Sequence, residues 1–412
     1  TITPQSMVET ASFTIWKDGG IIYRKNGLTG EVTSGTDAST VIQAAIDTGK
    51  SVSIKGLLEV TNGVNLVVGT QLMSDGLGGL IASKDANLPY LLKITEKTDR
   101  LNIKISNLIL DGNFEEGNPD VVGVLVEKET DADLLMFVDI LNNKITRCDI
   151  GVKLYGYAED IWERVWHVKI RGNNFGAFGW QCNTHIAAKW TYEVLVSNNN
   201  FENAYDSGIK LNQTANWVIS NNWFDDIVCN AILFESSVTS YTFKTMVIGN
   251  TIAPENGTGI FLSDKVMNVI IEGNSIRDTG ADGITVQGRY NVIVGNLIEN
   301  TGRYVAGNGI TLIHDAKLMV VADNNICAGG TIGGDGIFSN VTITYSSISD
   351  NIIYSCKGYG INFAGSYSTI TGNQLFSNAL GEAVITNTNG VTKNNRGYVT
   401  EGSGTAEASN DD

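Results

Sequence analysis

One stretch of this sequence, from Asp149 to Asp226, gathers most of the side chains that could do chemistry. Six of the seven tryptophans fall there: Trp162, Trp166, Trp180, Trp190, Trp217 and Trp223. So do Lys153, Tyr155, His185, Tyr205, Asp206, Lys210 and Asp226, all able to hold or move a proton. Sugars present C–H faces that stack on aromatic rings, while their hydroxyls seek polar neighbours, so Trp beside Lys, Asn and Asp suits a glycan groove. Trp162, Trp166, Trp180, Trp190, Gln181, Asn183, Tyr205 and Asn212 are the expected binding residues. Between Lys144 and Lys210 basic residues outnumber acidic ones by one, within a chain of net charge −16, and that local relief favours an acidic glycan.

Two chemistries fit these residues. In the first, a uronate chain loses its C5 proton to a base after a cation has neutralised the adjacent carboxylate, and an acid assists the leaving oxygen. Lys210 is the expected base, if burial or a neighbouring cation depresses its pKa, and Lys153 the carboxylate's partner. His185, Tyr155 and Tyr205 are the candidate proton donors. Calcium is an alternative to the cationic partner, held by oxygens of Asp149, Glu202, Asp206, Asp225 and Asp226. In the second chemistry two carboxylates flank a glycosidic bond, and Asp206 with Asp226 is the natural pair. Each residue also has a plainer role. Carboxylates before a strand commonly cap turns, a lysine on an exposed strand commonly serves solubility, and His185 could hydrogen-bond within a loop. His314-Asp315 has the look of half a catalytic pair but is remote from the aromatic cluster.

The elements that must position these groups are set by a repeat. The triplet Asn-x-(Ile/Leu/Phe) recurs at Asn107, Asn143, Asn173, Asn199, Asn222, Asn250, Asn274, Asn296, Asn324, Asn351 and Asn373, at intervals of 22 to 36 residues. Within each unit short runs alternate apolar and polar residues, as in Val269-Ile-Ile-Glu272 and Gly283-Ile-Thr-Val-Gln287. Three short strands and three turns consume such an interval at ~3.3 Å per strand residue, which is one turn of a parallel β-helix. Equivalent residues then stack at ~4.8 Å, so a buried asparagine finds its partners in the coils above and below. The glycines at 151, 208, 259, 283, 309, 336 and 360 suit the bend into the next strand, where positive φ or close backbone approach is needed. The expected fold is all-β: a right-handed single-stranded parallel β-helix of about 11–12 coils. A one-residue alternation from each Gly-Ile marker gives an outward column of Lys153, Gln181, Lys210 and Ile232, and a second of Tyr155, Asn183, Asn212 and Phe234.

The N-terminal part reads differently. Strands around Lys17-Asp-Gly-Gly20 precede Ser34-Gly-Thr-Asp-Ala38, a helix start, with Val41, Ile42, Ala45 and Ile46 on one face. Such a helix would cover the open end of a solenoid core. The chain thus divides into N-terminal strands and capping helix (1–50), β-helix (51–398) and a polar tail (399–412) with the composition of a disordered segment. Cys148, Cys182, Cys229, Cys327 and Cys356 are dispersed and read as buried thiols. The acidic balance argues against nucleic acid as a partner, and no apolar run is long enough to insert in a membrane.

The Gly-Thr-Asp element and helix followed by asparagine-ladder coils resemble the pectin-lyase-like β-helix superfamily over residues 30–398. That resemblance implies the fold and a carbohydrate-related role on or outside the cell or virion surface. The Arg-x-Pro-x-x-Arg of pectate lyases, the Asn-Thr-Asp of polygalacturonases and the Asp-Pro-His-Glu of mannuronan epimerases are all missing, so no branch lends its catalytic residues. The expectation is a polysaccharide lyase or C5-epimerase acting on a uronate polymer. A glycoside hydrolase and a non-catalytic tailspike or adhesin module are the alternatives. A monomer is the expected state, with a trimer favouring the tailspike reading.

Overall fold

A computed structural model describes residues 12–48, 51–95, 102–114, 120–128, 137–156, 165–176, 182–236, 244–340, 343–397 and 399–401. It is a right-handed parallel β-helix of about 11 turns with one short helix near the N-terminus. The coil around Asn274 shows the plan. Val269–Glu272 lies on the first face, Ser275–Arg277 on the second and Ile284–Val286 on the third, each paired in parallel with its equivalent one coil on. Val269, Ile271, Ile276, Ile284 and Val286 are fully buried. The intervening Ile270, Ser275 and Arg277 are partly or well exposed. Alternation puts one apolar stripe per face inside, and stacking of coils makes those stripes continuous.

The asparagine ladder occupies the bend between the first and second faces. In each step the side-chain oxygen of one asparagine accepts both the main-chain N–H and the Nδ2–H of the asparagine before it. Asn199 donates to Asn222 at 2.9 and 3.0 Å, and Asn222 to Asn250 at 2.9 and 3.0 Å. The remaining Nδ2–H reaches a first-face carbonyl one coil back, as Asn222 does to Val196 at 3.0 Å. One register detail differs from the sequence expectation. Asn107 is an exposed corner residue with φ 58°, and it is Leu108 whose N–H is received by Asn143 at 3.0 Å. At the other end Asn395 closes the ladder by accepting from Asn373 at 2.9 and 3.1 Å. Asn395 escapes the triplet pattern because no apolar residue follows it two positions later.

The marker glycines are required by close approach rather than by positive φ. A Cβ at Gly283 would lie 2.7 Å from the Gly309 carbonyl oxygen, and one at Gly309 2.6 Å from that of Gly336. Inside the coils near the candidate site, Phe175, Phe201 and Phe224 stack at 4.9 and 4.7 Å between centroids. The expectation of buried thiols is not met by Cys229, which is exposed, or by the half-buried Cys327.

The N-terminal end is capped as the sequence indicates. Phe13–Asp18 and Ile21–Asn26 form an antiparallel pair, and Val32–Gly35 adds to the second. Phe13–Asp18 also runs parallel to Ser51–Lys55, which joins this hairpin to the first face. Helix Ala38–Thr48 starts at Asp37, whose carboxylate accepts the Thr40 N–H at 2.9 Å. Burial tends to raise the Asp37 carboxyl pKa, but hydrogen bonds from Thr40 and Thr61 outweigh it and hold the group below its usual value. Val41, Ile42, Ala45 and Ile46 are buried beneath the helix. At the far end Val399–Glu401 pairs with Ala383–Ile385, so the first three residues assigned to a polar tail extend the third face instead.

Candidate functional site

The third face carries the cluster, and its strand pairing fixes which residues are neighbours. Ile150–Tyr155, Cys182–Lys189, the second half of Asn200–Asn212, and Ile232–Glu235 follow one another. Down the first outward column lie Lys153, Ala187, Lys210 and Leu233; down the second lie Tyr155, Lys189, Asn212 and Glu235. Two of the four coils therefore differ from the alternation expected from sequence. Ala187 stands where Gln181 was placed, and Lys189 where Asn183 was placed. Leu233 and Glu235 replace Ile232 and Phe234, both of which point into the core. The reason is local. The third coil has no Gly-Ile marker and is longer between its asparagine and its third-face strand, and the pairing there shifts register between Cys182 and Thr184. The alternation Thr184-x-Ile186-x-Ala188 was the available signal for the true register. Gln181, Trp162 and Trp180 lie outside the described residues.

Lys153, Lys189, Tyr155 and Trp190 form one group. The ammonium groups of Lys153 and Lys189 each lie 5.9 Å from the centre of the Tyr155 ring, and that of Lys189 lies 4.0 Å from the Trp190 ring. Tyr155 meets Trp190 edge-on at 5.6 Å. Neither lysine has a carboxylate within salt-bridge distance among the described residues. Two cations against aromatic faces, with no carboxylate partner among the described residues, are an arrangement that can receive an anion. Trp166 lies at the neighbouring corner, tilted against Tyr192 at 4.5 Å.

Lys210 lies two coils, ~10 Å, along the axis from Lys153. Its ammonium is 3.5 Å from Asp206 and 3.3 Å from Glu235. Partial burial would lower its pKa, but the two carboxylates outweigh that and hold it above the ordinary lysine value. This corrects the expectation of a lysine base with depressed pKa. Lys210 is a protonated ammonium held between two carboxylates. Asp206 also accepts the Thr184 hydroxyl at 3.3 Å. Tyr205, beside it, is well exposed.

His185 is not on the groove. It occupies the position that glycine fills at 151 and 208 in the adjacent coils, and its side chain turns inward. The ring is fully buried against Phe175 and Phe201, at 5.6 and 5.7 Å between centroids. Gly176 makes the space, since a Cβ there would come 2.9 Å from His185 Nε2. Neither ring nitrogen has a well-aligned hydrogen-bond partner, and the Glu202 backbone is the polar group nearest to providing one. Burial pushes its pKa down to about 3, against a smaller upward pull from Glu202. The ring is neutral and sealed from any substrate, so the proton-donor role expected of it is excluded by position.

The carboxylate expectations also change. Asp226 is a corner residue with φ 51°, lying before the Ile227 that pairs with Ala204, so it is not level with Asp206 and forms no pair with it. Glu202 and Asp225 pair in register on the second face, and Glu202 accepts from Asn200 at 2.6 Å. Asp149 is tied to Asn183 at 3.0 Å. Among the described residues no three His, Cys, Asp or Glu side chains converge as a metal site requires, so the calcium ligand set does not assemble. Of the other tryptophans, Trp217 is a core residue donating to Thr191 at 3.0 Å, and Trp223 is exposed on the second face. Asp315 near His314 is engaged by Arg289 and Lys317, a structural ion-pair cluster.

Residues 95–244 match the family described as right handed beta helix region. The chain has the pectate-lyase-like parallel β-helix fold. Residues 178–326 of this β-helix match a second family, periplasmic copper-binding protein (NosD). Among solved structures it is similar to the A-module of mannuronan C-5 epimerase AlgE4 of Azotobacter vinelandii. Identity is 15%, coverage 91% of this chain and 96% of that one, and the TM-score 0.53. The catalytic domain of a GH87 alpha-1,3-glucanase gives 13% identity, 86% and 65% coverage and a TM-score of 0.53. Tailspike protein 2 of Escherichia coli O157:H7 bacteriophage CAB120 gives 14% identity and a TM-score of 0.50. That match covers 76% of this chain but only 40% of the tailspike. No curated protein matches the sequence. No helix among the described residues is long and apolar enough to cross a membrane.

Proposed function

We propose that the third face binds an acidic, uronate-containing polysaccharide and removes its C5 proton, the outcome being β-elimination or C5 epimerisation. The observation that carries this is the pair of uncompensated lysines, Lys153 and Lys189, flanking Tyr155. A uronate carboxylate held by both ammonium groups loses much of its charge, and the adjacent C–H becomes more acidic. In this reading Tyr155, between the two cations, takes that proton after its own hydroxyl proton has been given up to solvent. Lys210, kept protonated by Asp206 and Glu235, in the same reading returns one to the leaving oxygen or to the opposite ring face. Trp190 and Asn212 supply stacking and hydroxyl contacts. Similarity to an enzyme named for mannuronan epimerisation supports the reading, as does an open outer face able to receive a polymer. The NosD and tailspike similarities favour a periplasmic, extracellular or surface location.

Incubation with alginate, polygalacturonate and glucuronan tests the proposal. Elimination yields unsaturated ends that absorb in the ultraviolet, and epimerisation changes the anomeric proton spectrum without cleavage. Lys153→Ala and Lys189→Ala are each expected to lower kcat/KM roughly tenfold or more, the scale of one charge-assisted hydrogen bond, with the circular dichroism unchanged. Full activity in the double variant would sink the clamp. New reducing ends without ultraviolet absorbance would transfer the chemistry to hydrolysis, with Asp206 and Glu235, bridged by Lys210, as its carboxylates. Binding without any change in the polymers would make the protein a glycan-binding module.

A further inference from the structure

We propose that Cys148 and Cys182 are a redox pair that closes a disulfide between adjacent coils, at the opposite end of the third-face strands from Tyr155 and Lys189. Both residues are fully buried. Their register is fixed by the pairing of Ile150 with Thr184 and by hydrogen bonds from the Thr184 N–H to Asp149 O at 2.9 Å and from Asn183 N–H to Cys148 O at 3.2 Å. Counting back, Cys148 lies opposite Cys182, with Cα atoms one strand spacing apart, ~4.8 Å, inside the ~4.4–6.8 Å span of disulfides. Both thiols face the interior at the same corner, and no other pair of cysteines in the chain is level in adjacent coils. The Cys148 thiol donates to Thr146 O at 3.3 Å, and the neighbouring Cys182 thiol together with burial pushes its pKa well up.

That environment makes the folded pair slow to react, because thiolate is the attacking species. The bond should form chiefly while the coils are still assembling. Oxidation joins the two sulfurs and releases two electrons and two protons. A small-molecule disulfide accepts them by exchange and leaves as two thiols. The position gives the bond a consequence. Cys182 opens the strand that carries Thr184 and Lys189, just where pairing with the next coil shifts register. A covalent link there would fasten the irregular third coil to the second and hold Lys189 level with Tyr155. The inference does not depend on what the site binds.

The test uses the full chain, refolded from denaturant with reduced or oxidised glutathione. After oxidative refolding, thiol labelling in denaturant should find three free cysteines instead of five. Peptide mass spectrometry without reductant should find a Cys148–Cys182 link, and the thermal midpoint should stand about 5 °C above that of the reduced protein. Cys148→Ala and Cys182→Ala should each abolish the difference between the two preparations. Five free thiols after oxidative refolding, or a link between other cysteines, would overturn the assignment. So would an equal oxidised-minus-reduced shift in either variant.

Discussion

Asn222→Ala is expected to lower the unfolding free energy by roughly 3–6 kcal/mol, a large part of the stability of an ordinary domain. The substitution removes four hydrogen bonds at once. Asn222 Oδ1 accepts from the Asn199 main chain and side chain, and its Nδ2 donates to Val196 O and Asn250 Oδ1. Left behind are two donors of Asn199 and an acceptor on Val196, in a bend where Asn222 is almost wholly buried. Each stranded group costs on the order of 1–3 kcal/mol, and the space freed by one side chain gives water little to bind. Asn395→Ala is the matched control. Asn395 ends the ladder and is partly exposed, so water can replace its bonds and the loss should be well under half as large. Thermal unfolding of both variants, with hydrogen exchange followed coil by coil, reads the effect. Protection should fall most in the coils around Asn199 and Asn222. Equal losses in the two variants would show that the ladder does not act through buried, unreplaceable bonds.

The second large effect is acid destabilisation through His185. In the folded chain its pKa is pushed down to about 3 from an ordinary 6.5, so the ring stays neutral where an unfolded histidine takes up a proton. The contribution is therefore complete above pH 6.5 and is lost as pH falls from 6.5 toward 3. Between pH 7 and pH 4 the protein should lose roughly 3 kcal/mol through this residue alone, at ~1.4 kcal/mol per pH unit over the ~2.5 units below 6.5. His185→Met removes the titration while keeping an apolar side chain of similar bulk between Phe175 and Phe201. Its stability should fall less steeply with acid than that of the natural chain, although other carboxylates titrate in both. Parallel curves would mean that the imidazole is reached by water or by a partner. The same variant separates structure from chemistry. If His185 only fills the core, His185→Met keeps its activity at pH 7, whereas a proton donor would be lost.

How much was legible in the sequence follows from how local each determinant is. Period, strand alternation and recurring asparagines lie within single coils, so the architecture and the capping helix could be read directly. The end points of the ladder could not. Leu108 and Asn395 take their places by stacking on Asn143 and Asn373, which no triplet records. The site was legible as a neighbourhood and not as a mechanism. Lys153, Tyr155 and Lys210 were found because their coils carry a marker glycine that sets the alternation. Lys189 was missed because the third coil has histidine there, and a one-residue error in a strand exchanges inside for outside.

By itself, then, the sequence determined the β-helix, its period and the segment where aromatic and cationic groups collect, since each follows from residue types repeated at short range. Only the tertiary structure decided what those groups are. Lys210 has a raised rather than a depressed pKa because Glu235, from the next coil, joins Asp206 beside it. His185 is core rather than catalytic because Gly176 opens a space for it. Lys153 and Lys189 come together because stacking sets both beside a single tyrosine ring. Charge state and direction are properties of contacts between coils, and those contacts exist only once the chain has wound.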